Sequence, residues 1–157
     1  MWQLSEAVDG MAEAAGALDV PVVGGNVSLY NESRGRDIDP TPVVGMVGLI
    51  DELDRRPPGA HLVDESRVLL LGDAGATSLA GSAWAKLRGH VGGELPGVDY
   101  ERHRAVLEVV RRLVADGMLA GVHDVSDGGI GVALAEMAFA GGVGFRVTGI
   151  DSHAQLF

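Results

Sequence analysis

Short apolar runs interrupted by glycine alternate along this chain with stretches whose apolar residues recur every three or four positions. Such alternation of strand and helix patterns restricts the fold to α/β or α+β layers. From Leu4 to Leu18 the residues Leu4, Val8, Met11, Ala15 and Leu18 gather on one helical face, which predicts a helix packed against a neighbour. Val20 to Val23 is a short β-branched run stopped by Gly24-Gly25, and Val43 to Ile50 suits a buried strand. A polar loop with Asn31, Glu32, Arg34 and Arg36 lies between them.

Asp51 to Glu65 carries Pro57-Pro58-Gly59 and several charges, which suits a linker or long turn. A domain boundary is therefore expected near residue 58, dividing 1–57 from 58–157. Beyond it, Arg67 to Leu71 reads as a strand, Gly72 to Thr77 as a loop and Leu79 to Leu87 as a helix. Asp99 can cap a helix running to about Ala115, with a stripe of Val106, Val109, Val110, Leu113 and Val114, and Gly117 stops it. Ala120 to His123 and Val143 to Val147 are expected strands around a helix from Gly128 to Phe139, whose Ile130, Ala133, Leu134, Met137 and Ala138 share a face. The sequence closes on Leu156-Phe157 straight after a strand and turn, which reads as a cut end.

A chain of 157 residues can bury roughly 68–70% of its unfolded surface. With 46% hydrophobic residues, 24 glycines and 4% aromatics, its core must be aliphatic and its turns tight. The formal charge of -10 argues against general binding to nucleic acid or an anionic membrane, so a phosphate would have to be held locally. With Lys86 the only lysine, that leaves backbone amides, Mg²⁺ or arginines such as Arg34 and Arg36. The lack of cysteine removes disulfides and thiolate chemistry and is compatible with the cytoplasm. Neither a membrane span nor a signal peptide is expected.

Chemistry concentrates in Gly24-Gly25-Asn26-Val27-Ser28. Two glycines after a strand let a ligand approach main-chain amides, and residues two apart on extended backbone point to the same side. Asn26 and Ser28 can thus converge on one ligand or hydrated Mg²⁺, although the same spacing also suits a plain glycine turn beside a polar edge strand. In His123-Asp124-Val125-Ser126-Asp127-Gly128-Gly129, carboxylates beside a glycine pair at a helix start suit Mg²⁺ and phosphate. Helix capping by Asp124 and Asp127, with His123 filling space, is the other reading. The five histidines show no metal-ligand spacing, and the charges at Asp99 to Arg104 and Arg111-Arg112 suit a solvated helix face.

Val22 to Glu32, followed by Pro40 to Ile50, resembles the paired signature in the second half of the synthetase subunits of the phosphoribosylformylglycinamidine synthase family, within the aminoimidazole ribonucleotide synthetase superfamily. His123 to Gly129 with Ala133 to Ala138 resembles a strand-loop-helix of the same half. The resemblance implies the end of a ferredoxin-like domain over residues 1–57, followed by most of a larger α/β domain, truncated, over 58–157. It implies ATP and Mg²⁺ as cofactors, with Gly25 at ATP, Asn26 as a metal ligand, Ser28 on the substrate formylglycinamide ribonucleotide, and Asp124 and Asp127 as second candidates for nucleotide or Mg²⁺.

The reaction so implied activates the substrate amide oxygen with the γ-phosphoryl group of ATP, and glutamine-derived ammonia then gives the amidine. A glutaminase subunit and a small bridging subunit are the implied partners, and an exposed ferredoxin-like edge would permit a homodimer. The family's catalytic histidine belongs to the other half, so no catalytic residue is assigned and the chain alone is expected to be inactive. Ser78 to Trp84 departs from the family pattern at Ala80 and Ala83 and receives no function. Another ATP-using member of the superfamily, or a noncatalytic nucleotide-binding or assembly module, remain the alternatives.

Overall fold

The computed structural model describes residues 2–30, 32–50, 53–72 and 78–157. Asn31, Asp51, Glu52 and the part of the Gly72 to Thr77 loop at 73–77 lie outside the described residues. The chain divides into two compact units, Met1–Glu52 and Leu53–Phe157.

In the first unit, helix α1 spans Trp2–Leu18. Its end is a Schellman turn: Asp19 takes a left-handed φ of 56°, its N–H donates to Gly16 O at 3.4 Å, and Val20 N–H donates to Ala15 O at 2.9 Å. The expected packing of its stripe is not observed, since no residue of α1 is buried and Val8 is 48% exposed. The polar loop is instead a hairpin. Strand β1 (Glu32–Ser33) pairs antiparallel with β2 (Arg36–Asp37), Glu32 opposite Asp37 and Ser33 opposite Arg36. Arg34 (φ 54°) and Gly35 (φ 76°) supply the two positive φ values that a type I′ turn requires.

The second unit holds α2 (Ala83–Leu87), α3 (Tyr100–Ala115), α4 (Gly129–Gly141) and a 3₁₀ turn (His153–Gln155). Local chemistry explains each start. Ser82 accepts from Ala85 N–H at 3.1 Å to cap α2, and Asp99 Oδ1 accepts from Arg102 N–H at 3.0 Å to cap α3. Helix α2 begins later than the expected Leu79, because that Ser82 cap is its first stabilised turn. Gly117 (φ 64°) and Gly142 (φ 66°) end α3 and α4 in left-handed conformation.

The core of this unit comprises Leu62, Ala85, Ala133 and Leu134, each 6–7% exposed. The expected face of α4 turns inward at Ala133 and Leu134, while Phe139 on the other side is 93% exposed. Residues 59–62, expected as linker, run against this core. Leu62 N–H donates to Met137 O at 3.0 Å and Val122 N–H to Gly59 O at 3.1 Å. Gly121 and Gly141 face the carbonyls of His61 and Leu62 so closely that a Cβ would overlap them.

The five expected strands at Val20 to Val23, Val43 to Ile50, Arg67 to Leu71, Ala120 to His123 and Val143 to Val147 are not strands. Among the described residues, only β1 and β2 are paired. A strand exists through a ladder of backbone hydrogen bonds to a neighbour, and among the described residues none of these segments has one, the single bond from Val122 N–H to Gly59 O being too little to make it. Nor is Val43 to Ile50 buried: Val43, Val47 and Leu49 are over 90% exposed.

Candidate functional site

Gly24 and Gly25 sit in the unpaired segment after α1. Neither has a positive φ, and a Cβ added at either would meet nothing within 4 Å. Among the described residues no conformational or packing demand explains two glycines there, which leaves clear access to their main-chain amides. Two residues on, Asn26 Nδ2 donates to Ser28 Oγ at 3.2 Å, so the two polar side chains lie on one side of the backbone and open to solvent.

This donor set suits Mg²⁺ and a nucleotide. Donation through Nδ2 leaves Asn26 Oδ1, a hard oxygen, uncommitted to Ser28. Mg²⁺ commonly takes one or two protein oxygens and completes its shell with phosphate and water. Among the described residues no group of three His, Asp or Glu side chains could hold a metal by itself.

The second candidate segment is arranged differently. His123, its side chain 17% exposed, places Nδ1 2.6 Å from the carbonyl oxygen of Asp124 and 3.4 Å from Asp124 Oδ1. Its Nε2 lies 3.2 Å from Glu136 Oε2 on α4, so the ring ties the loop to the helix. Asp124 is 82% exposed and Asp127 is also exposed. Neither caps α4, whose N-cap is Gly128 (φ 86°) with no side-chain cap. Gly129 (φ 72°) follows, its N–H donating to Ser126 O at 3.0 Å.

Two arrangements escaped sequence reasoning. The Glu136 contact to His123 joins residues 13 positions apart and leaves no local signal. By contrast, Ser152 and Gln155 form a capping box, a Ser-x-x-Gln pattern visible in the sequence, with Gln155 Oε1 accepting from Asp151 N–H at 2.7 Å and Ser152 N–H at 3.3 Å. A cleft of about 180 Å³ lined by Leu71, Gly72, Arg102, Ala105, Val106 and Val109 is apolar, and Arg102 Nη2 donates to Gly72 O at 3.2 Å beside it. No helix among the described residues is long and apolar enough to cross a membrane.

Comparison with known proteins gives two family matches, the C-terminal domain of AIR synthase related proteins over residues 64–149 and their N-terminal domain over residues 1–50. The chain is 47% identical over 154 residues to the phosphoribosylformylglycinamidine synthase subunit PurL of Renibacterium salmoninarum, covering 98% of this chain and 20% of that protein. It is 45% identical over 160 residues to the PurL of Thermobifida fusca and 44% identical over 161 residues to that of Streptomyces coelicolor, covering all of this chain and 21% of each. The chain thus spans about a fifth of the length of the curated relatives it matches. No solved structure matches.

Proposed function

The chain belongs to the AIR synthase related family, a family of α/β fold, and from that premise we propose that it supplies one wall of an ATP-dependent ligase site. The reaction is the conversion of formylglycinamide ribonucleotide to formylglycinamidine ribonucleotide with glutamine-derived ammonia. The observation that carries this reading is the open glycine pair followed by the joined Asn26 and Ser28, within a chain 44–47% identical along nearly its whole length to subunits named for that reaction.

In this proposal the unobstructed main chain at Gly25 receives the nucleotide phosphates, Asn26 holds Mg²⁺ through its amide oxygen, and Ser28 orients the substrate by a hydrogen bond. Bound Mg²⁺ supplies neutralisation of phosphate charge. The chain's own contribution is positioning, which dominates phosphoryl-transfer catalysis. Asp124 and Asp127 are retained as second candidates for nucleotide or Mg²⁺. A glutaminase subunit and a small bridging subunit are the proposed partners of the complete enzyme, and the cytoplasm its compartment.

The proposed division is a ferredoxin-like part over residues 1–57 and an α/β domain over 58–157. Two compact units meeting at 52/53 and family matches ending at 50 and resuming at 64 support it.

The proposal is tested with the purified chain. Isothermal titration with Mg²⁺ and ATP should give binding that Asn26→Ala weakens, while substrate, ATP, Mg²⁺ and ammonia should give no amidine, because no catalytic residue is assigned to this chain. Nucleotide binding indifferent to Asn26→Ala would remove the metal role. Robust turnover would overturn the division of labour.

A further inference from the structure

The hairpin that follows the Asn26 and Ser28 segment carries, at its turn, a residue that the turn's geometry does not favour. Arg34 takes a φ of 54° in the type I′ turn, a left-handed conformation that glycine and asparagine adopt readily and a longer side chain adopts at a cost. Every residue from Glu32 to Asp37 is exposed, so no packing offsets that strain. Strain kept at an exposed position points to a use for the side chain itself.

The charges of the turn are also unanswered. On α3, Arg111 and Arg112 both bond to Glu108. Among the described residues the guanidinium groups of Arg34 and Arg36 make no ion pair or hydrogen bond, in a chain whose formal charge is -10. Glu32 and Asp37 adjoin them in sequence but stand opposite each other across the strands. Ser33 stands opposite Arg36 in the pair that closes the turn, and the Cβ atoms of such partners lie about 4.5–5.5 Å apart. A hydroxyl and two guanidinium groups within four positions form a donor set suited to a phosphate dianion, since the fork of N–H donors on arginine matches its oxygens. From Ser28 to Ser33 the chain reaches at most about 18 Å, which keeps the turn close to the hydroxyl proposed to orient the substrate.

We propose that Ser33, Arg34 and Arg36 bind the terminal phosphate group of a ribonucleotide, and that this group is the 5′-phosphate of the substrate. The proposal rests on the reading of Ser28 as a substrate contact and gives that site a second anchor. Binding held at two points fixes the position of the amide that is to react, which a single hydrogen bond from Ser28 does not. The rigid two-residue turn presents its charges already in place, so little ordering accompanies binding.

The experiment titrates the whole chain with formylglycinamide ribonucleotide, its dephosphorylated ribonucleoside, inorganic phosphate and ADP with Mg²⁺, followed by backbone amide NMR and calorimetry. Arg36→Gln removes a charge at nearly constant length. Arg34→Asn removes the other with a residue that tolerates positive φ, and should match or exceed the parent in thermal stability. The ribonucleotide and inorganic phosphate should shift the amides of Ser33 to Arg36. Each substitution should weaken ribonucleotide binding about tenfold and leave the affinities for the ribonucleoside and ADP unchanged.

Ribonucleotide binding that Ser28→Ala weakens but both arginine substitutions leave intact sinks the hairpin's role and keeps the ligand site. Equal loss of ribonucleotide and ribonucleoside means that no phosphate is held at the turn, which overturns the proposal as well. Weakened ADP binding beside an unchanged ribonucleotide overturns the substrate assignment and gives the phosphate contact to the nucleotide. Arginine-dependent shifts at the turn that are indifferent to Asn26→Ala and Ser28→Ala support the phosphate contact and remove the reading of the neighbouring site. No response to any of the four probes overturns both.

Discussion

The Asn26 side-chain amide donates to the Ser28 hydroxyl at 3.2 Å, in a segment with no paired backbone to hold it. Because the bond is exposed, Asn26→Ala should change unfolding free energy by no more than about 0.5 kcal/mol. In a full-length subunit carrying this segment, the same substitution should raise the Mg²⁺ concentration needed for half-maximal activity about tenfold or more. A magnesium titration checks it, and an unchanged midpoint would speak against Asn26 as a ligand.

Alanine at the two glycine pairs should act in opposite ways. Gly129→Ala forces a side chain into φ +72°, costing about 1–2 kcal/mol, and sets its Cβ against Leu156 O. A loss of about 2 kcal/mol or more is expected from urea unfolding. Gly25→Ala meets open space and should cost under about 0.5 kcal/mol, while weakening ATP binding by intruding on the amides. Equal destabilisation by both would contradict the distinction between them.

Removing the Asp99 cap should cost about 1 kcal/mol, because Arg102 N–H loses its acceptor at the start of α3. Asp99→Asn, which keeps a side-chain oxygen, should recover most of it. Thermal unfolding followed at 222 nm measures the difference.

On α3, Glu108 accepts from Arg111 at 2.9 and 3.0 Å and from Arg112 at 2.6 Å. Hydrogen bonds from Arg111, then Arg112, hold its carboxyl at about 2, below the ordinary 4.5. A lowered folded-state value means that the stabilisation is complete above the ordinary range and is lost as pH falls from about 4.5 through about 2. Carboxyl-carbon NMR should place the midpoint near 2, and any stability gap between the protein and Glu108→Gln should narrow over that interval. With the two arginine side chains about 70% exposed and that of Glu108 42% exposed, water screens the cluster, which predicts a small gap that salt reduces further.

The helices were legible because their signals are local. The Asp99 cap, the Gly117 stop and the Ala133-Leu134 face lie within a few residues of what they control, and α3 and α4 form close to the expected limits. The strands were not, since Val43 to Ile50 can specify an apolar extended segment but not the neighbour that makes it a strand. The hairpin at 32–37 looks like a polar loop in the sequence because its strands lack apolar alternation, and Arg34-Gly35 replaces the more familiar Asn-Gly turn. At the candidate site, the two-residue spacing anticipated that Asn26 and Ser28 share a side. Nothing local announced that Leu156 would reach Gly131, because that contact closes a loop of 25 residues.

The register of that hairpin gives it two electrical faces. Cross-strand partners project to the same side and successive residues to opposite sides. Glu32 and Asp37 therefore share one face, and Ser33 and Arg36 share the other. A phosphate approaching the ribbon finds a cation and a hydroxyl from one direction and two carboxylates from the other. A slip of one residue in the pairing would undo that polarity, so the tight Arg34-Gly35 turn, by fixing the register, also fixes which face of the ribbon carries its positive charge.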